Sequence, residues 1–144
     1  MGTRSTIAVQ LEDGSVIQSY CHWDGYLSFN GRILQEAYKD RDAAVALVQL
    51  GDMSSLGRRV VPNGEHSFQK PEEGTTVYYG RDRGEKDTGP NVFATLNEYY
   101  KDFQCEEYNY LFRNGRWEVI SYATDDKWVD LQEALEREDA AAAE

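Results

Sequence analysis

Residues 108–121 read Tyr-Asn-Tyr-Leu-Phe-Arg-Asn-Gly-Arg-Trp-Glu-Val-Ile-Ser. Tyr108, Tyr110 and Phe112 alternate on one side of Asn114-Gly115, and Trp117, Val119 and Ser121 alternate on the other. A period of two places each trio on one face of an extended strand. The two-residue turn that joins twisted strands best needs positive φ at both central positions, and Asn-Gly supplies this at little strain. The segment predicts a tight antiparallel hairpin with an aromatic face. An isolated hairpin is marginal in water, so the rest of the chain must supply further strands and a covering layer.

It has the means to do so. Residues 5–11 alternate, with Ile7, Val9 and Leu11 on one side; Asp13-Gly14 makes a turn, and residues 15–22 return as a second strand. Residues 23–26 break the period. Helical spacing follows over 29–38 (Ile33, Leu34, Ala37, Tyr38) and over 41–50, with Asp40 as N-cap and Gly51 beyond the C-terminus. Residues 51–57 predict a tight connection with a short turn capped by Ser54. Residues 58–74 predict a mobile loop, 75–79 a β-rich run and 80–90 a charged loop. Thr95 and Glu98 have capping-box spacing for a helix to about residue 103. Asp125 or Asp126 is expected to cap a last helix with Trp128, Leu131 and Leu135 inside. There is no internal repeat.

The expected fold class is α+β: a mostly antiparallel sheet of about five strands built from hairpins, with helices packed mainly on one face. Residues 1–135 form one domain, and the acidic, alanine-rich residues 136–144 fray.

Charge narrows the partners. The chain of 144 residues carries 26 acids and 15 bases, a net of −11. From Glu98 onward there are 13 acids and 5 bases, a net of −8. Such a surface repels nucleic-acid phosphates and anionic membranes, and direct DNA binding is not expected. A protein with a basic surface is the favoured partner. No leader pattern and no apolar run of membrane-spanning length are present in the sequence. Cys21 and Cys105 are read as free thiols. The opening Met1-Gly2-Thr3-Arg4-Ser5-Thr6 matches a myristoylation pattern that is short enough to occur by chance.

Three constellations bear chemistry. Tyr20-Cys21-His22-Trp23-Asp24-Gly25-Tyr26 gathers a thiol, an imidazole, an indole, a carboxylate and two phenols. On a continuing strand His22 and Asp24 share a face, so Asp24 could orient His22 as a general base, or simply satisfy a buried histidine. Cys21 then points the other way, which argues against a Cys–His dyad. Tyr79-Gly80-Arg81-Asp82-Arg83-Gly84-Glu85 sets two arginine forks beside glycines, a loop suited to phosphate or to internal Arg–Asp pairs. Arg4, Arg58 and Arg59 extend this basic patch if the fold brings them near. His22, Trp23, Asp24, Tyr26, Arg81, Asp82, Arg83 and Glu85 are thus candidate ligand contacts. The tyrosine-rich hairpin with its acids (Glu106, Glu107, Tyr108, Tyr110 and Glu118) is the candidate protein interface, its aromatics serving either a partner or the core. Two histidines and two cysteines do not fall at zinc spacings, and no metal or cofactor is expected.

The segments Gly2-Thr3-Arg4-Ser5-Thr6-Ile7, Glu12-Asp13-Gly14 and Tyr20–Tyr26 resemble a family of small proteins encoded by tailed bacteriophages and prophages. The similarity continues through Gly31, Leu34, Tyr38, residues 50–57, residues 79–85 and Tyr110-Leu111-Phe112. It implies a phage origin and a bacterial cytoplasm, and carries no activity with it. By analogy with other small acidic phage proteins, the leading expectation is an anti-defence inhibitor of a host factor. It would dock a basic nucleic-acid-binding surface or sequester a nucleotide messenger. The alternatives are a small hydrolase or nucleotide-modifying enzyme built on His22 and Asp24, and a virion or assembly component.

Overall fold

A computed structural model describes residues 2–143. The predicted 108–121 hairpin is present as β6 (Tyr108–Arg113) and β7 (Arg116–Ser121), with Arg113 opposite Arg116. Asn114 and Gly115 both adopt positive φ, 53° and 77°. The N-terminal hairpin is β1 (Ser5–Gln10) and β2 (Val16–Cys21), antiparallel from Ser5–Cys21 to Gln10–Val16. The two hairpins join through β1 and β6, which run parallel with Ile7 opposite Tyr110.

Four short strands enlarge this centre to an eight-stranded mixed sheet. They are β3 (Met53–Ser55), β4 (Val77–Tyr78), β5 (Asn91–Phe93) and β8 (Val129–Asp130). The order is β4-β3-β2-β1-β6-β7-β8, with β5 also paired to β2. The α+β class holds, but there are more strands than the five expected, and β1–β6 and β2–β3 are parallel pairs. Where a turn capped by Ser54 was expected, Met53–Ser55 is a strand.

The helices are α1 (Arg32–Ala37), α2 (Arg41–Val48), α3 (Tyr79–Arg83), α4 (Leu96–Asp102) and α5 (Leu131–Ala142). Ile33 and Leu34 of α1, Ala44, Leu47 and Val48 of α2, and Leu131, Ala134 and Leu135 of α5 pack on one face. They meet Ile7, Val9, Ile17, Tyr110, Phe112, Trp117 and Val119. Full burial of such a side chain is worth roughly 1.5–3 kcal/mol, so this layer holds the fold together. Aromatic tips inside it find partners: Trp117 Nε1 donates to the Tyr38 carbonyl at 2.7 Å, and the Tyr38 hydroxyl to the Gly57 carbonyl at 2.7 Å. The opposite face carries α4. There Tyr99 packs with Ala8, Val16 and Leu111, ringed by Phe93, Tyr100, Phe103 and Trp128.

The caps explain where helices start. Asp40 accepts from the Ala43 amide at 2.8 Å, and Thr95 from the Glu98 amide at 3.1 Å. The last helix is capped by Asp130, not by Asp125 or Asp126. Trp128 therefore precedes it and packs against α4 on the other face. Helix α5 continues past Glu136 to Ala142. The expected 80–90 loop begins with the helical turn α3, which carries Arg81, Asp82 and Arg83.

Candidate functional site

The chain leaves β2 at Cys21 and turns across the end of the sheet. Trp23 donates its amide to the Ser54 carbonyl at 3.0 Å, and Asp24 takes a left-handed conformation, φ 59°. Gly25 then passes so close to β1 that a Cβ would sit 2.7 Å from Ser5 Cβ, and its amide donates to the Thr3 carbonyl at 2.8 Å. Only glycine fits there. A widened π-type turn (Leu27–Gly31) follows and runs into α1. Single π-turns are costly and recur at functional sites.

This turn forms one wall of a groove of about 610 Å³. Asp24, Ser28, Phe29, Arg32 and Ile33 line one side; Ser55–Arg58 and residues 71–75 with Val77 line the other. Phe29 is 39% exposed and Tyr26 stands beside it, ring centres 6.2 Å apart. Arg32 and Arg58 are paired outward, to Asp139 at 2.8 Å and to Glu36 at 2.7 Å. Asp24 and Glu73 have no such partner among the described residues.

The second wall is pinned from behind. Glu72 accepts from the Asn63 amide at 2.9 Å, the Thr75 hydroxyl at 2.7 Å and the Arg59 guanidinium at 2.8 Å. These contacts hold its carboxyl down to about 2. The Glu72 amide donates to His66 Nδ1 at 3.0 Å, which leaves the imidazole proton on Nε2. That Nε2 faces Asp82 Oδ2 at 3.1 Å, close but poorly aligned for a hydrogen bond. With its side chain only 2% exposed, His66 is a clasp within the 58–74 segment.

The expected ligand residues do not converge. His22 Nδ1 lies 2.8 Å from the Tyr20 hydroxyl, and Trp23 packs edge-on against its ring, 4.7 Å between centres. It does not pair with Asp24, because the strand ends at Cys21 and the left-handed Asp24 redirects the chain. Arg81 donates to the Val60 and Thr76 carbonyls and to Asp82, and lies over the Tyr78 ring. Burial alone would raise the Asp82 carboxyl. Hydrogen bonds from Arg81 and the Tyr78 amide, with His66 alongside, more than offset this and lower it. Arg83 lies 3.6 Å from Glu85 and over Phe68. The two arginines thus tie α3 to the 60–68 segment instead of forming an open anion clamp. Neither His22, Arg81 nor Arg83 lines the groove that Asp24 lines.

The expected interface also rearranges. Tyr108 and Tyr110 face the core and are buried, and Glu118 is buried against Arg113 at 2.7 Å. These three cannot meet a partner; Glu106 and Glu107 retain surface. The most exposed aromatic among the described residues is Tyr122, at 72%. It opens a 3-10 turn (Tyr122–Thr124) closed by a Ser121/Thr124 capping box, so its ring leaves the strand alternation. Its hydroxyl lies 3.4 Å from that of Tyr108. Burial raises the Tyr108 phenol, and Tyr122 and the negative charges of Glu138 and Glu107 raise it further. Glu107 precedes Tyr108 in the chain, and Glu138 lines the same surface hollow as Ala123 and Thr124. Asp125 and Asp126 follow, both exposed with φ 56°. The nearby Arg137 pairs with Glu133 at 3.1 Å. The face is an exposed aromatic within an acidic rim. The signal for it in the sequence is Ser-x-x-Thr followed by Asp-Asp.

No protein-family model, curated protein or solved structure matches the chain. No helix among the described residues is long and apolar enough to cross a membrane. Among the described residues no three His, Cys, Asp or Glu side chains converge as a metal site.

Proposed function

We propose that this chain is an acidic, non-enzymatic binding protein of bacteriophage origin. It inhibits a factor of the bacterial host, one of a defence system, by laying its Tyr122 face on that factor's basic nucleic-acid-binding surface in the cytoplasm. The observation that carries this reading is Tyr122, 72% exposed on a turn that continues into the exposed Asp125 and Asp126, with Glu138 beside Ala123 and Thr124. Binding hot spots are enriched in tyrosine, and a charged rim steers encounter with an oppositely charged surface. The enzyme reading draws no support from His22, whose ring nitrogen is engaged by Tyr20. A nucleotide messenger is disfavoured because Arg81 and Arg83 are held in internal contacts while two uncompensated carboxylates face the groove.

Pull-down from bacterial lysate at low and high salt tests the proposal. A specific host protein should be captured at low salt, released at high salt, and lost with Tyr122→Ala. Capture that ignores salt, or none at all, overturns acidic docking.

A further inference from the structure

The proposed function uses the Tyr122 face and leaves the groove unassigned. We infer that the groove between the π-turn and residues 71–77 is a second contact site, which accepts a short basic segment of the same partner. The inference rests on the reading that the partner is basic, but its residues are separate.

Four observations select the occupant. At about 610 Å³ the groove lies within the roughly 300–1,000 Å³ span of ligand pockets. Its apolar wall is Phe29, Ile33, Leu56 and Val77, and Phe29 presents its ring to solvent. The two arginines at its rim are neutralised by acids outside it, Asp139 and Glu36. Glu72 is likewise matched by Arg59, which leaves Asp24 and Glu73 as the uncompensated charges. An arginine side chain suits such a place, because its flat cation pairs with carboxylates and stacks on an aromatic ring. An anion would face Asp24 and Glu73, while the lining guanidinium groups of Arg32 and Arg58 are already paired with Asp139 and Glu36. An apolar residue between two arginines would reach the Ile33 and Leu56 wall. The occupant is therefore an extended, arginine-bearing segment with an apolar side chain.

The wall is also built to stay in place. Glu72 and His66 fix residues 71–75 from behind, and Tyr110 holds Gly25 on the other side. A preformed groove avoids the ordering cost that a loose loop would incur on binding.

The test uses the full chain and a capped Gly-Arg-Leu-Arg-Gly peptide, with Gly-Glu-Leu-Glu-Gly and ADP-ribose as competing probes. Backbone amide shifts are followed by NMR, and affinity by calorimetry. The arginine peptide should shift amides of residues 24–33, 55–58 and 71–77. Glu73→Gln on an exposed loop, and Asp24→Asn, whose side chain tolerates the left-handed backbone, should together weaken it about tenfold. Both variants should retain the native spectrum in the absence of peptide. No shift with the arginine peptide, undiminished binding in the double variant, or preference for the acidic peptide or ADP-ribose overturns the assignment. Shifts confined to Tyr122 and its neighbours also overturn it while leaving the acidic face standing. Tyr122→Ala, which should leave peptide binding in the groove unchanged, separates the two sites.

Discussion

The Tyr110 hydroxyl, at the centre of β6, donates to the Gly25 carbonyl at 2.6 Å, across 85 residues of sequence. It joins the middle of the sheet to the turn that shapes the groove. Tyr110 is fully buried, so its phenol has no solvent alternative. Tyr110→Phe leaves the Gly25 carbonyl without this donor and should lower stability by about 1–2 kcal/mol. Urea denaturation should show a reduced midpoint at an unchanged slope. An unchanged midpoint would mean that the bond is not made in solution.

Tyr99 is the contrasting case. Its ring is fully buried among Phe93, Tyr100, Phe103 and Trp128, and its hydroxyl has no partner among the described residues. A phenol left in that state incurs its full desolvation cost. Tyr99→Phe should leave stability unchanged or raise it by up to about 1 kcal/mol. A clear loss in a thermal melt would show that the hydroxyl has a partner.

Acid should loosen the 58–74 segment through Glu72. The Asn63 amide, the Thr75 hydroxyl and Arg59 depress this carboxyl to about 2 from its usual 4.5. A group depressed on folding contributes stability that is complete above its unfolded pKa and is lost as pH falls through the folded one. The stability that Glu72 contributes should therefore be complete above about pH 5 and largely lost by about pH 2, while in the folded protein its contacts persist until the carboxyl itself titrates near 2. The Asn63 amide resonance, followed by NMR, should keep its bonded position until close to pH 2. In Glu72→Gln that acid step should be absent. A step near pH 4.5 in the parent protein would contradict the geometry.

The two thiols should react very differently. Cys21 is fully buried against Asn30, and burial pushes its thiol up to about 12. Cys105 is exposed. Iodoacetamide at mild alkaline pH, read by peptide mapping, should label Cys105 alone until the protein is denatured. Native labelling of Cys21 would show that the Cys21–Asn30 packing opens.

What the sequence revealed followed the range of the interactions involved. The Asn114-Gly115 hairpin, the Asp40 cap and the β1–β2 pairing are local, and each shows in neighbouring residues. Strands β3, β5 and β8 are two or three residues long and exist only through distant partners, such as Phe93 against Val16. Trp128, Leu131 and Leu135 keep helical spacing, but that spacing does not say where a helix starts; the Asp130 cap excludes Trp128. The candidate sites were less legible for the same reason. His22 and Asp24 share a face only on a continuing strand, and one left-handed residue separates them. For Tyr108 and Tyr110 the sequence leaves both a protein-facing and a core role open, because tyrosine suits interfaces and sheet faces alike. The helical layer over that face of the sheet buries them, and Tyr122 is the most exposed ring among the described residues. Glu106 and Glu107, whose placement needed no long-range pairing, keep their surface positions.

The central claim is that the acidic Tyr122 face docks a basic host surface. The most direct measurement is the association rate of the captured partner as a function of salt, for the parent chain and for an Asp125→Asn, Asp126→Asn, Glu138→Gln variant. The parent rate should fall steeply between about 50 and 500 mM salt, as the Debye length shrinks from roughly 14 to 4 Å. The variant should associate about tenfold more slowly at low salt, with a flatter dependence. Equal rates for the two proteins, or a rate indifferent to salt, would contradict the account.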